Sequence, residues 1–357
     1  MQPKISVIIP CWKITPYIDR LYQNIQSQTF KDFEWILVND GNASQNEALQ
    51  TIAEKDSRIR VIWKENGGTS SARNVGIDNA RGEWIVFNDD DDDIKPYYLE
   101  SLYSAVKDSD SDLAVGGYTE YKLKQNLYRQ DFINIEGDME VAMDTKSALI
   151  KILDSVVSVF NWNKIYKASI IKENNLRFDV KAKVIQDGPF NMDYYLHCTK
   201  ISLVKDFGYI YYINDATNQI SSYDPTYGDE ALKLLSKYNY LLNTLKLGEE
   251  KTDKLRTQKA FGLSIVIIFN AFRHNHPSFK QAKAEIRKYV LQNEQMMDAV
   301  KKYRKQKYIS KMEKFMAYAI STKSGTFIAV MIKPVFWIRY KSPKFYTKIR
   351  SLIYRNR

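Results

Sequence analysis

The sequence predicts an α/β protein with a mostly parallel sheet, followed by a helical C-terminal extension. Three observations carry that reading. Short β-branched runs alternate with helically spaced segments through the first hundred residues. A polar or glycine-bearing turn follows each run, at Pro10, Asp40, residues 66–68 and residues 89–92. From about residue 229 the apolar positions recur every three or four residues, at Leu232, Leu235, Tyr238 and Leu242.

Residues 4–10, KISVIIP, form a β-branched run ended by proline, the pattern of a buried strand. Ile18, Leu21, Tyr22 and Ile25 then place a helix over 16–28. A second strand is expected over 33–40, closed by Gly41 and Asn42, then a helix over 46–55 and a strand over 59–63. Gly67 and Gly68 precede a helix around 70–80, the apolar run 84–87 gives a fourth strand, and Pro96 introduces a helix over 97–106. Helices between successive strands require parallel crossovers. Ligands of such sheets bind beyond the carboxyl ends of the strands, at a switch point in strand order. The four turns therefore converge on one edge.

Residues 87–96, FNDDDDDIKP, are the most telling stretch. An acidic run taken alone fits a solvated loop. Behind a buried strand and before a helix, five carboxylates repel one another unless a cation sits among them, and an oxygen-bound divalent ion is the usual solution. Gly67 and Gly68 fit either a plain turn or a close backbone approach to an anionic ligand at a helix start. Arg73, one turn in, can pair with phosphate or hydrogen-bond a base. Neither GxGxxG nor GxxxxGK[ST] occurs, so a dinucleotide fold or P-loop is not supported.

These motifs, in their order and spacing, resemble the family 2 inverting glycosyltransferases, which have the GT-A nucleotide-diphospho-sugar fold. The matching stretches are SVIIPCW (6–12), FEWILVNDG (33–41), NGGTSSARNVGI (66–77), GEWIVFNDDDD (82–92) and Pro96. WNKIYK (162–167) and LRFDVKAKVIQDGPFN (176–191) are similar to the family's second half. The resemblance implies that Pro10 and the loop after it line a nucleotide pocket, that Asp40 accepts a hydrogen bond from uracil, and that Gly68 and Arg73 lie near base and phosphates. The family's DxD-type motif falls on Asp89, Asp90 and Asp91, counting back from Pro96, although five aspartates leave a slip of one residue open. Asp89 then faces the ribose, and Asp91 holds Mn²⁺ or Mg²⁺ against the donor diphosphate.

The base implied for an inverting transfer is Asp187, at the start of a helix running to about His197. Without the resemblance, Asp187 reads first as the N-cap of its helix. Gln186 stands where the family usually has Glu, a change expected to lower the pKa of Asp187 slightly by removing a like charge. Trp162 and Lys164 follow an apolar run read as a strand and either border an acceptor pocket or pack in the core.

The implied function is metal-dependent transfer from a UDP-sugar to a lipid-linked or oligosaccharide hydroxyl in capsule, O-antigen or exopolysaccharide synthesis. A nucleotidyltransferase, or a non-catalytic nucleotide-sugar-binding member of an assembly complex, are the rival readings. The implied organisation is a catalytic domain over 1–228, with a nucleotide half to 110 and an acceptor half beyond it. A helical region over 229–300 and a basic, aromatic tail over 301–357 follow.

Charge supports that division. Residues 301–357 hold 16 Lys and Arg against one acid, Glu313, whereas the other 300 residues hold 37 basic and 41 acidic residues. The tail's cations alternate with Phe336, Trp337 and Tyr340, a composition suited to an anionic leaflet, to a solvated basic face or to contact between copies. No nucleic-acid reader motif accompanies it. Two cysteines fit a reducing compartment, and neither a leader-peptide pattern nor an apolar run of ~18 residues is present. A cytoplasmic enzyme, peripheral at the inner membrane face and free to oligomerise, is the expectation.

Overall fold

Strand β1 (Ile5–Cys11) is buried along almost its whole length, as a strand covered by helices on both faces must be. It pairs in parallel with β2 (Phe33–Asp40) on one side and β4 (Trp84–Phe87) on the other, and β2 pairs in parallel with β3 (Ile59–Lys64). The order β3-β2-β1-β4 reverses direction at β1, which makes the carboxyl end of β1 the switch point. The crossovers are α1 (Ile18–Ser27), α2 (Asn46–Lys55) and α3 (Gly68–Asn79). Helix α3 packs against β1 through Gly76, where a Cβ would meet Ile8 Cγ2 at 2.3 Å. The computed structural model describes residues 2–122, 127–131, 133, 140–213, 222–273, 278–306 and 309–331.

The parallel rule ends at β4. The remaining elements of this sheet are β6 (Leu113–Val115), β9 (Glu140–Asp144), β10 (Lys164–Lys167) and β11 (Lys200–Val204), in the order β4-β10-β6-β11-β9. Strand β10 runs antiparallel to both neighbours, and β9 runs antiparallel to β11. Around them lie α4 (Tyr98–Ser109), α5 (Thr145–Leu153), α6 (Ala168–Glu173) and α7 (Asp187–Tyr195). A second sheet, in the order β5 (Asp93–Ile94), β12 (Tyr209–Ile213), β7 (Tyr118–Lys122), β8 (Leu127–Asp131), pairs the end of the aspartate run with a strand more than a hundred residues away. The run before Trp162, read as a strand, is a 3-10 turn over Val156–Val159, and His197 is exposed just past α7.

The chain divides into two compact units, Met1–Asp215 and Ala216–Arg357; the sequence reading placed the boundary after residue 228. In the second unit, α8 (Tyr227–Leu245) and α9 (Glu249–Asn270) are followed by α10 (Phe279–Ile286), α11 (Glu294–Arg304) and α12 (Lys311–Ser321). Its interior is apolar: Phe261 stacks on Tyr303 with ring centres 4.0 Å apart, and Leu241, Leu242, Val300 and Ile320 are fully buried. Among the described residues, no helix is long and apolar enough to cross a membrane.

Candidate active site

The loops after β1, β2, β3 and β4 are tied to one another by hydrogen bonds. The Trp12 amide donates to Asp90 at 3.3 Å, and Asn42 donates its side-chain amide to the Trp12 carbonyl. Asp40, the last residue of β2, accepts from the Gly67 and Gly68 amides at 2.9 and 2.7 Å and pairs with Lys64 at 2.5 Å. Its carboxylate thus caps the start of α3, where the amides of a first turn need an acceptor. Gly68 has φ +82°, a conformation favouring glycine, and opens onto free space. Pro10 sits in β1 opposite Val38, half-buried, immediately before the loop that reaches Asp90. A cavity of about 560 Å³ beside Asp40 is lined by Asn39, Asn42, the exposed Trp63, Lys64 and Asn66.

Arg73 is the hub. It lies on α3 with 4% of its side chain accessible, and its two terminal nitrogens point to different carboxylates. Nη2 donates to Asp89 at 2.8 Å and Nη1 to Asp187 at 2.7 Å, while the guanidinium carbon sits 5.3 Å from the Phe178 ring centre. Burial opposes its charge, but Asp187 and Asp89 outweigh burial and hold its pKa above the usual arginine value. A single buried cation therefore joins the strand-end aspartate Asp89 to Asp187, 98 residues further along the sequence.

The five aspartates divide by what holds them. Asp92 is buried and accepts from the Tyr209 hydroxyl at 2.7 Å and the Tyr212 amide at 2.9 Å. Asp93 takes Arg20 Nε at 2.7 Å, Asn24 at 3.1 Å and the Tyr212 hydroxyl at 2.6 Å. These two fasten the loop, whereas Asp89 goes to Arg73 and Asp90 to Trp12. Among the described residues, no other side chain hydrogen-bonds the Asp91 carboxylate, although Arg20 holds its backbone carbonyl. Burial first, then repulsion from Asp91 and Asp89, pushes Asp90 up to about 7. Burial and Asp89 push Asp91 up to about 6.

That arrangement fits a hard divalent cation. Carboxylate oxygens are the preferred donors, and the charge concentrated at 89–91 is only partly neutralised by Arg73 and Arg20. Among the described residues no cluster of three or more His, Cys, Asp or Glu forms a closed metal cage. Mg²⁺ and Mn²⁺ are commonly held by one or two carboxylates, with phosphate oxygens completing the shell.

Asp187 opens α7 and keeps 22% of its side chain accessible, so it can be reached where Arg73 cannot. Burial raises its pKa, Asp89 adds to the rise, and Arg73 and Lys164 oppose it. The missing carboxylate at Gln186 is thus outweighed by burial, and the net shift is upward. Gln186 instead donates to the Ala182 and Lys183 carbonyls at 3.2 Å.

Trp162 and Lys164 take the core alternative and not the acceptor one. Lys164 is fully buried and donates to the Val157 carbonyl at 2.7 Å, to Asn163 at 2.8 Å and to the Phe160 carbonyl. Trp162 is 4% exposed and stacks on Phe160 and Tyr209, with ring centres 4.6 and 4.4 Å away. A lysine one residue past a tryptophan looks the same in sequence whether its ammonium meets carbonyls or solvent. Sequence reasoning also passed over Arg20, Tyr209 and Tyr212, which fasten the aspartate loop. Arg20 occupies a polar position of an amphipathic helix, and the tyrosines read as ordinary residues of a strand over 209–213, so no local signal marked their role.

Comparison with known proteins agrees with this geometry. The family model described as glycosyl transferase family 2 matches residues 6–173, a span that ends before Asp187. Glycosyltransferase GlyA of Streptococcus pneumoniae is 33% identical over 221 residues, covering 60% of this chain and 31% of that protein. EpsJ of Bacillus subtilis, an uncharacterized glycosyltransferase, is 29% identical over 237 residues, covering 65% of this chain and 68% of EpsJ. The chain thus spans less than a third of GlyA's length and about two thirds of EpsJ's. The solved structure of S. aureus TarS 1-349 in complex with UDP-GlcNAc superposes with a TM-score of 0.66 at 19% identity, covering 95% of this chain and 92% of that one. Residues 6–173, which carry the switch point at β1 and the acidic loop after β4, match glycosyl transferase family 2.

Proposed function

We propose that the protein transfers a sugar from a UDP-sugar to a hydroxyl of a lipid-linked or oligosaccharide acceptor, with inversion at the anomeric carbon, in the synthesis of a cell-surface glycan. The observation that carries this reading is the Arg73 bridge, which puts Asp187 and Asp89 on one guanidinium beside Asp90 and Asp91. A UDP-sugar donor is supported by the UDP-GlcNAc bound in the TarS structure. The surface-glycan setting is supported by relatives such as the poly(ribitol-phosphate) N-acetylglucosaminyltransferase TarP of Staphylococcus aureus.

In the proposed reaction the acceptor oxygen forms a bond to the anomeric carbon as the bond to the diphosphate oxygen breaks. The electron pair leaves with UDP, and the acceptor proton passes to an Asp187 oxygen. The upward shift of Asp187, caused first by burial, makes it a stronger base than an exposed carboxylate. Asp91, with Asp90, would hold Mn²⁺ or Mg²⁺, which supplies charge neutralisation for the departing diphosphate when bound. Asp89 is offered to the ribose and Asp40 to the uracil ring, and Arg73 keeps Asp89 and Asp187 in fixed register. Gly68 leaves open space at the start of α3 for the diphosphate to approach backbone amides.

The excess of Lys and Arg after residue 300 supports attachment to an anionic membrane face. Phe336, Trp337 and Tyr340, the aromatics invoked for it, lie outside the described residues.

The test is UDP release from a panel of UDP-sugars, with and without Mn²⁺ and a lipid-linked acceptor. Acceptor-dependent release that disappears in Asp91→Ala is expected. UDP binding that is absent with Mn²⁺, and equally absent in Asp91→Ala, overturns the reading. Donor binding with no release for any acceptor points to the non-catalytic alternative.

A further inference from the structure

The second unit carries an aromatic and cationic face that the catalytic chemistry does not use. Phe279 on α10 is 44% exposed, Tyr318 on α12 is 51% exposed, and Val330, in the helical residues 325–331, is 61% exposed. They belong to one surface. Lys283 lies over the Phe279 ring at 5.1 Å and reaches Thr326 Oγ1 at 3.5 Å. Phe327 meets Tyr318 edge-on with ring centres 6.3 Å apart, and Arg304 lies over Tyr318 at 5.7 Å. Lys280 and Lys323 are exposed beside them.

The acids of α10, α12 and 325–331 point to other partners. Glu285 accepts from the Tyr223 hydroxyl, and Glu313 accepts from Tyr303 at 2.9 Å and from the Ser310 amide at 2.7 Å. What remains is a face of rings rimmed by cations, a pattern matched to a negatively charged interface with an apolar layer beneath it. The described residues end on this face at residue 331, and the sequence of residues 332–357 contains eight Lys or Arg and no acid. A second folded protein would need complementary acids; an anionic leaflet supplies them at any register.

We propose that this face, centred on Phe279, Lys283, Tyr318 and Val330, is the folded part of the membrane-binding surface and seats on anionic phospholipid headgroups. It extends the membrane attachment proposed above from the tail to α10 and α12, and rests on that reading. Its rings sit at headgroup depth while Lys280, Lys283, Arg304 and Lys323 meet lipid phosphates.

The experiment is co-sedimentation of the whole chain with vesicles of equal parts phosphatidylglycerol and phosphatidylcholine, and with phosphatidylcholine alone. UDP release to a soluble acceptor and thermal unfolding are read alongside. The wild type is expected to bind the anionic vesicles only, and F279S/Y318S to bind about tenfold more weakly with unchanged turnover. K280E/K323E alters only exposed charges, thermal unfolding checks that its fold is kept, and it is expected to weaken binding in the same direction. Unchanged binding by both variants overturns the face while leaving the tail reading intact, and absence of binding by the wild type overturns both. A changed sedimentation coefficient with unchanged vesicle binding assigns the face to contact between copies and overturns the proposal. Failure of sugar transfer with vesicle binding intact bears only on the proposed activity.

Discussion

Arg73 Nη1 stands 2.7 Å from an oxygen of Asp187, and this contact ties the start of α7 to α3, whose Arg73 also holds Asp89 in the loop after β4. A guanidinium fork serves two carboxylates at once because its nitrogens diverge in one plane. Lysine presents a point charge and cannot bridge both, so the identity of residue 73 is set by geometry more than by charge.

Asp187→Asn is therefore expected to lower turnover by ~10²–10⁴-fold, the usual worth of a positioned base, with UDP affinity nearly unchanged. In the wild type the base must be ionised, so kcat/KM should rise with pH. Its acidic limb should lie above the ordinary aspartate range, because burial raises the Asp187 pKa. Steady-state rates across pH, with isothermal titration of UDP, check both statements; wild-type turnover in the Asn variant removes Asp187 from this role.

A second expectation concerns stability without metal. Asp90 and Asp91 titrate near 7 and 6 in the folded protein, against about 3.9 when unfolded. Between those values the folded state holds more protons than the unfolded one, so these groups make stability fall as pH rises from about 4 to 7. Asp90→Asn should flatten that slope. Mn²⁺ should raise the unfolding temperature more at pH 8 than at pH 5, as seen by calorimetry at each pH.

Arg20 is expected to matter without touching substrate. It pairs with Asp93 at 2.7 Å, holds the Asp91 carbonyl and lies 4.5 Å from the Tyr212 ring centre. Arg20→Gln should weaken Mn²⁺-dependent UDP binding by about tenfold, in line with other residues that orient metal ligands. The loss should show as a higher metal requirement, with turnover at saturating Mn²⁺ largely restored.

Two glycine substitutions should have opposite signs. Gly76→Ala drives a methyl into Ile8 and should cost ~1–3 kcal/mol of stability. Gly262→Ala, within α9 with nothing within 4 Å of the new Cβ, should add ~0.5–1 kcal/mol by helix propensity. Denaturant midpoints of the two variants decide this.

The first half of the fold was legible because each of its strands is an apolar run bounded by turn residues, and its site residues sit at strand ends. Asp40, Gly68, Arg73 and the aspartate loop could be placed that way. The second half was harder. Leu113–Val115 is three residues long, too short for any periodicity, and it pairs antiparallel with β10 on one side and parallel with β11 on the other, so no regular strand–helix alternation announces it. Lys164 misled because burial of an ammonium depends on carbonyls supplied by a 3-10 turn, and backbone acceptors leave no mark in side-chain sequence. Tyr209 escaped for a similar reason: its hydroxyl becomes important only once Asp92 arrives beside it.

The fastening of Asp92 and Asp93 by Tyr209 and Tyr212 limits how this protein can be recombined. Exchanging the residues after 110 for those of a relative, to redirect specificity, would also remove the hydroxyls that hold the aspartate loop in place. A chimera cut near residue 110 should lose its grip on nucleotide unless both tyrosines are carried across, so new acceptors are better sought by grafting individual loops than by swapping halves.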